Sequence, residues 1–506
     1  MENSRLRKTY LNSIWLIINQ VVAFIVSLIL PRLIISTYGS AYNGMISSIT
    51  QFLGFISILR LGVAGASRVS LYKSLAEGDI KKTSGIVKAT EKYMQKIGYA
   101  IIVYVVILSI IYPYILRGNY SYAEVTVLVV AIGIGTFAQY FFGITYQTLL
   151  AADQRLYVYN AVQTVTVIAN CVLSSVLIIA GLSIQIVKLC ASIIYLINPI
   201  FLNYYVSRKY NIDKKCEPDN SALQQRGDVM GHSIANIVHE NTDMIVLTIF
   251  CNVSIVSVYS VYNLVMGGLR QVLNIFTYSS EAVLGNMWAK GEKDSIRKNL
   301  SYFEYMVSSF ISIVFPCTIV LILPFVSLYV KGIYDVEYVL PVYALIIIVA
   351  QIFFCFRTPY LSLVQAAGHY KETKRGAYFE AAINLFLSVV LVQFVGIVGT
   401  AVGTLAANVF RTVQYSFYVS KHLVKRSNLV VAKRMLWIFL NNVVVVLMCY
   451  PFTSRIASLS WSKWVVCGIA SMVISVICCF VSSVVFYRSD FNGLMSIVKR
   501  MFRRKK

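Results

Sequence analysis

Residues 10–35 read YLNSIWLIINQVVAFIVSLILPRLII and follow the cationic start MENSRLRKT. The run is too long for a signal-peptide core and has no small-residue cleavage site, so it reads as a retained first helix. A bilayer core needs roughly 20 apolar residues per helix. Comparable runs recur near 42–70, 96–116, 122–151, 157–180 and 183–206, and again near 229–250, 253–285, 302–329, 338–366, 377–395 and 397–420. A last pair lies near 433–453 and 461–487. The expected fold is an all-α polytopic membrane protein of about fourteen transmembrane helices.

Composition agrees. Of the 506 residues, 58% are apolar and 13% charged, and the mean hydropathy is +0.71, which leaves too little polar surface for a soluble chain of this length. The net charge of +24 would suggest nucleic acid in a soluble protein. Here the positive-inside rule accounts for it, and no nucleic-acid partner is expected. With the N-terminus in the cytoplasm, 35 of the 45 Lys and Arg residues fall on the cytoplasmic side. Arg32, Arg117, Lys331, Arg455 and Lys463 fall outside, and Arg60, Lys188, Arg270, Arg357 and Arg411 fall within spans. The ten cysteines form no CxxC and no Cys/His cluster, so neither a disulfide framework nor a metal site is expected.

The halves repeat. A shift of 220 residues places Tyr42, Asn43, Gln51 and Leu53 on Tyr262, Asn263, Gln271 and Leu273. Farther along, Asn170 and Ser174 meet Asn384 and Ser388 at a shift of 214. Six helices per repeat is an even number, so both halves point the same way, as in transporters with parallel repeats. The expected organisation is an N-terminal six-helix lobe (1–210), a cytoplasmic linker (211–228), a C-terminal six-helix lobe (229–424), two additional helices (425–488) and a basic cytoplasmic tail (489–506). A central cavity between two lobes follows. The tail spaces Phe491, Leu494, Met495, Val498 and Phe502 as an interfacial helix does, among lysines and arginines suited to an anionic leaflet.

Charges within spans need a reason, because each costs on the order of 3 kcal/mol or more at the bilayer centre. Arg60 and Arg270 lie far from water and suit a cavity lining. Arg357 and Arg411, nearer the inner helix ends, also suit snorkelling or ion pairing. Lys188 is near an outer helix end and reads as ordinary. On the seventh helix His232, Asn236, His239 and Asp243 share one face with Glu240 beside them. The corresponding stripe on the first helix holds Asn12, Asn19 and Gln20, and two such stripes would line a wet cavity. Asp243, Glu240, Glu281 and Glu380 are candidates for coupling to a cation, or for pairing with an arginine.

The sequence holds no GxSxG, no Walker loop and no HExxH, and its outside loops are short, which argues against an enzyme. Three passages carry a family likeness: YGSAYNGMISSITQFLGFISILRLGVAGASRVSLYKSLAEGD (38–79), ENTDMIVLTIFCNVSIVSVYSVYNLV (240–265) and AAGHYKETKRGAYFEAAINLFLSVVLVQFVGIVGTAVGTLAAN (366–408). Together they resemble the polysaccharide (O-antigen and capsule) repeat-unit flippases of the multidrug/oligosaccharidyl-lipid/polysaccharide exporter superfamily, over residues 1–420. The last two helices match its fourteen-helix members. Where that family usually reads Asp-Leu-Gly-Leu, this chain has Arg60-Leu61-Gly62-Val63, so the usual role does not carry over there.

The resemblance implies a flippase of the bacterial inner membrane. Its cargo would be a polyprenyl-pyrophosphate-linked oligosaccharide, moved from the cytoplasmic to the outer leaflet by alternating access. Its partners would be membrane lipids and polysaccharide assembly enzymes. No cofactor is implied, and proton or sodium coupling is compatible. Arg60, Arg270, Arg357 and Arg411 suit the pyrophosphate, and Tyr42, Tyr262, Asn263 and Gln271 suit sugars. The rival readings are a drug or organic-cation antiporter, which wants an anionic cavity, and a membrane polymerase or ligase, which wants a large basic outside loop.

The charge distribution places both termini and the 207–228 loop in the cytoplasm. An impermeant thiol reagent applied to intact cells should therefore leave Cys216 unmodified. Strong labelling there before permeabilisation would reverse the orientation.

Overall fold

The computed structural model describes residues 2–60, 63–116, 120–213, 216–219 and 227–503. The described residues form nineteen α-helices and no strand. They are α1 (Glu2–Tyr38), α2 (Ser40–Gly54), α3 (Val63–Glu77), α4 (Ile80–Ile115), α5 (Tyr122–Ala138), α6 (Ile144–Ala152), α7 (Leu156–Ile179), α8 (Ile184–Tyr195), α9 (Ile197–Lys209) and α10 (Gly227–Phe250). There follow α11 (Val253–Ala289), α12 (Lys293–Tyr329), α13 (Pro341–Phe356), α14 (Thr358–Ala366), α15 (Tyr370–Val395), α16 (Ile397–Tyr418), α17 (Leu429–Ile456), α18 (Trp461–Phe486) and α19 (Arg488–Arg503).

Ten spans among the described residues are long and apolar enough to cross a membrane, and the bent pair formed by α2 and α3 makes an eleventh. Helices α10, α11 and α16 are 24, 37 and 22 residues long. They have the required length with a more polar composition, and with them the number reaches fourteen. The chain is an all-α, multi-pass membrane protein. Several helices begin well before their apolar run: α4 starts at Ile80, not near 96, and α15 at Tyr370, not near 377. Beyond the first turn their polar leading segments hydrogen-bond within the helix and need no apolar sequence, and at α4 the Asp79 side chain caps the Lys82 amide.

By internal contacts the chain divides into two compact units, Met1–Ser260 and Val261–Lys506, with the division inside α11. In the first unit, amides join the helices. Asn12 on α1 donates to the Gln154 carbonyl (2.9 Å) and accepts from the Tyr157 amide (2.7 Å), and Asn19 donates to the Thr164 hydroxyl (3.2 Å). Two residues of the stripe expected to be wet, Asn12 and Asn19, are thus bonded to α7 and the turn before it, as interhelical hydrogen bonds satisfy polar side chains in a bundle. Asp153 gathers Lys8 (3.0 Å), Arg155 (2.6 Å) and the Tyr210 hydroxyl (2.5 Å), tying α1, the α6–α7 turn and the end of α9 together. Asn43 on α2 donates to Ser257 (2.7 Å) and Ser260 (3.1 Å), and Ser48 pairs with Thr248 (2.7 Å).

In the second unit α15 and α16 form a tight hairpin around Gly396, whose φ of 56° lies where glycine alone is at ease. Gly399 and Gly403 face α15. A Cβ on Gly403 would stand 2.9 Å from the Ser388 nitrogen and 3.0 Å from the Asn384 carbonyl oxygen. This is the small-residue spacing that lets two membrane helices touch backbone to backbone. On α15 the buried side is Glu380, Asn384, Ser388 and Val392, while Phe379, Phe386 and Phe394 are 60%, 67% and 80% exposed. Polar groups inside and aromatics outside is the pattern of a helix solvated by lipid.

Helices α17 and α18 pack on α12, where Trp464 donates to the Leu321 carbonyl (3.1 Å). Buried Glu304 on α12 pairs with Arg426 and with Arg434 (3.4 Å). Arg434 also holds Asp490 of α19 at 2.7 Å. The tail thus forms a helix seated on this network.

Because α15 and α16 meet through glycine, Gly403→Val should force them apart. We expect a markedly lower melting temperature in detergent, a cost of about 1–3 kcal/mol by overpacking. An unchanged melt would show that the hairpin tolerates separation.

Candidate functional site

Helix α15 places Glu380 at its buried side, and the close approach of α16 brings Arg411 to it, Nε to Oε2 at 3.3 Å. Arg357 approaches the other carboxylate oxygen, Oε1. It sits where the span 341–366 breaks between α13 and α14, so its side chain leaves the helix at a turn. All three side chains are buried. Arg357 also donates to Asn408 (3.3 Å), which in turn donates to the Ala350 carbonyl (3.1 Å). Arg411 donates to the Thr373 carbonyl (3.0 Å), to Gln414 and to Tyr415, over whose ring its guanidinium lies at 4.0 Å.

A third arginine completes the group. Phe354 lies 4.6 Å from the Arg357 guanidinium and 5.6 Å from that of Arg270, so one ring serves two cations. Arg270, on α11 and half-buried, donates to Asn263 (3.0 Å). Among the described residues it has no carboxylate partner. Two guanidiniums thus share one carboxylate, and a third, Arg270, stands beside them with an amide and a ring as its partners.

In the first unit Arg60 ends a short 3-10 segment, Phe55–Arg60, at the bend of the second span. It is exposed, with its guanidinium 5.7 Å from the Tyr140 ring centre. A 3-10 interruption inside a long helical span commonly marks a hinge or a working site. Tyr140 lies in a π-helical segment, Gln139–Gly143, that breaks the span formed by α5 and α6. Arg357 breaks its own span 218 residues after Gln139, a shift within the range the internal repeat shows. The two halves are interrupted at corresponding positions, by a π-helical segment in the first and by a turn in the second.

The other expected residues are placed differently. Tyr262 is fully buried, donates to the Tyr338 carbonyl (2.9 Å) and accepts from the Leu340 amide (3.1 Å), so its hydroxyl is committed to packing. Tyr42 is half-buried and reaches Glu124 at 3.5 Å, and Gln271 is exposed. Asp243 is buried on α10, whereas Glu240 is exposed and its backbone carbonyl accepts from Gln51 (3.3 Å). Glu281 is half-buried. The side chains of His232, Asn236 and His239 lie outside the described residues. Sequence reading passed over Glu304, an acid at the start of the apolar part of α12 whose cations are more than a hundred residues away.

No protein-family model matches the chain. No curated protein matches its sequence. Solved structures do match its fold. A lipid II flippase MurJ structure in an inward closed conformation aligns with a TM-score of 0.71 at 14% identity, over 95% of this chain and 99% of that one. A multidrug resistance MATE family transporter of the MOP superfamily aligns at 0.62 and 12% identity, over 80% of this chain and 98% of that one. The eukaryotic MATE transporter AtDTX14 aligns at 0.59 and 16%, over 82% and 96%. The chain has the fold of the MOP-superfamily transporters.

Glu380 is the only acid in this buried group of described residues. Glu380→Gln should strand two buried arginines and cost about 3–5 kcal/mol, whereas Arg357→Gln leaves Arg411 to answer the carboxylate and should cost less. Thermal melts of the two variants check the order. The reverse order would show that Arg357, not Glu380, organises the group.

Proposed function

We infer that this protein is a flippase that moves a polyprenyl-pyrophosphate-linked oligosaccharide across a bacterial inner membrane by alternating access, with both termini in the cytoplasm. The observation that carries the reading is the carboxylate deficit around Arg270. A bundle that leaves a guanidinium without a carboxylate, beside two others that share one, is suited to an anionic cargo. Arg270 and Arg60 would hold the pyrophosphate, with Arg357 and Arg411 fixed behind Arg270 by Glu380. Asn263 orients Arg270, while Tyr42 and Gln271 remain available to sugar hydroxyls. Two six-helix repeats, 1–210 and 229–424, would form the moving lobes, and the last two helices would extend the second.

The fold likeness supports the same reading. The lipid II flippase structure spans nearly the whole of this chain, while the MATE structures leave about a fifth of it unmatched. A membrane potential negative inside favours outward movement of an anionic headgroup by roughly 2.3 kcal/mol per charge per 100 mV. Asp243 and Glu240 are the groups that would couple transport to a cation. The MATE likeness favours a second reading, export of organic cations, against which the excess positive charge argues. Neither reading makes the protein an enzyme.

Proteoliposomes holding a fluorescent polyprenyl-pyrophosphate saccharide distinguish the two. Arg60→Gln and Arg270→Gln should each slow flipping at least about tenfold, the loss of one charge-assisted contact, with insertion and protein level near normal. Arg270→Lys should retain part of the rate, since it keeps the charge without the fork. Unimpaired flipping by the double Gln variant would remove both arginines from the mechanism, and uptake of organic cations in its place would select the antiporter.

A further inference from the structure

The first unit encloses a cavity of about 340 Å³, within the usual range for small-molecule sites of roughly 300–1,000 Å³. Its wall combines α1, α2, both parts of the broken α5–α6 span, α7, α8 and α9. Lys188 of α8 lines it, and no Asp or Glu is among the lining residues. Among the described residues Lys188 makes no ion pair. It differs in this from Lys8, Arg155, Arg357, Arg411, Arg426 and Arg434, each of which meets a carboxylate.

Leu30, Ile46, Ile132, Ala191 and Pro199 give the wall apolar stretches, and the rest of it is mainly amide and hydroxyl, set in place before any ligand arrives. Asn198 donates to Gln163 at 2.6 Å. Asn170 donates to the Tyr195 hydroxyl at 3.2 Å and accepts from Ser174 at 3.1 Å. Gln139 enters from the π-helical segment, where the extra residue in the turn alters the direction of the side chains, a feature that recurs at working sites. Its side chain meets the hydroxyl of Tyr159, on the opposite wall.

An ammonium inside a membrane bundle needs an anion or water to answer it. The surroundings here specify the anion. Lys188 supplies one compact positive charge with three donors, which matches a single carboxylate. A phosphate group would carry close to two charges and is better met by arginine forks, of which this wall has none. Several amides that can both donate and accept suit a ring bearing many hydroxyls, and Tyr159 and Tyr195 offer apolar ring faces with polar tips. We propose that this cavity is a specificity site for an acidic sugar, a hexuronate, whose carboxylate meets Lys188 and whose hydroxyls meet Gln139, Gln163 and Asn198. The proposal rests on the flippase reading in taking such a sugar to be part of the cargo.

The test is binding alone, so it stands apart from transport. Saturation-transfer NMR is recorded on the full chain in detergent with sodium D-glucuronate, with D-glucose, and with glucuronate in the presence of equimolar acetate. Glucuronate should bind about tenfold more tightly than glucose, the difference expected of one charge-assisted hydrogen bond. Lys188→Gln should remove that preference and leave the glucose signal. Gln163→Ala, which keeps the charge, should weaken both sugars alike with the preference intact, so a poorly folding Lys188 variant does not decide the matter. Equal binding of the two sugars, or a preference that survives Lys188→Gln, overturns the assignment. So does displacement of glucuronate by equimolar acetate, which would mark a bare anion site. Glucuronate binding in a protein that fails to flip pyrophosphate lipids would overturn the flippase reading and uphold the cavity.

Discussion

A charge held among hydrocarbon side chains destabilises its bundle by on the order of 3 kcal/mol or more unless something answers it, and the second unit is arranged around that requirement. Glu380 answers Arg357 and Arg411 together. It can do so only because Gly399 and Gly403 let α16 lie against α15, which places Arg411, two turns beyond Gly403, beside the carboxylate. The break between α13 and α14 supplies the other arginine. Remove the glycine contact and the ion pair loses its geometry; remove the carboxylate and the hairpin contains two unanswered cations. In the same unit Glu304 repeats the device with Arg426 and Arg434. One acid again serves two arginines.

The first unit meets the same scarcity of water with neutral groups. Asn12, Asn19, Asn43 and Ser48 each bridge to a distant helix; among the described residues its long-range ion pair, Lys8–Asp153, ends in a turn, and the exposed Lys73–Glu77 pair lies within one helix. Neutral bridges involve less desolvation than buried ions. The interruptions of this unit, the 3-10 segment before Arg60 and the π-helical segment at Gln139, fall beside its cationic and amide-rich features. Regular helix would carry those side chains past the interior at 100° per residue; an altered turn redirects them.

How much of this is legible in a sequence depends on the range of the interaction. Bilayer thickness acts on a run of adjacent residues, so the spans could be placed from apolar runs alone, and their polar ends could not. The repeat was legible because whole helices recur, and with it the shared break at Gln139 and Arg357 could have been sought. Pairing was one of the readings open for Glu380, Arg357 and Arg411, but the choice of these three as partners was not legible. The two arginines of Glu380 lie 23 and 31 residues away on either side, on other helices, and nothing local distinguishes a paired arginine from a snorkelling one. Tyr262 shows the opposite error. A tyrosine inside a polar repeat motif reads as a sugar contact until the 338–340 loop is seen to occupy its hydroxyl. Lys188 read as a helix-end residue and lies in the second turn of α8, but depth along one helix does not show that it also lines a cavity.

These contrasts make the unanswered cations informative. The fold demonstrates at Glu380, Glu304 and Asp153 that it can supply a carboxylate where a cation needs one, even across more than a hundred residues of chain. Among the described residues, Arg60, Arg270 and Lys188 lie within spans and receive none. Their surroundings are an aromatic ring, an amide and a polar cavity respectively. Each of these steadies a cation without neutralising it. A carboxylate at any of the three sites would stabilise the empty protein and compete with an anionic ligand for the same charge. Leaving them open destabilises the bundle in the absence of a ligand, and the binding of a phosphate or a carboxylate recovers that energy. The arginines and the lysine need not serve the same part of a cargo: a planar fork favours a pyrophosphate, and a compact ammonium among amides favours a sugar acid.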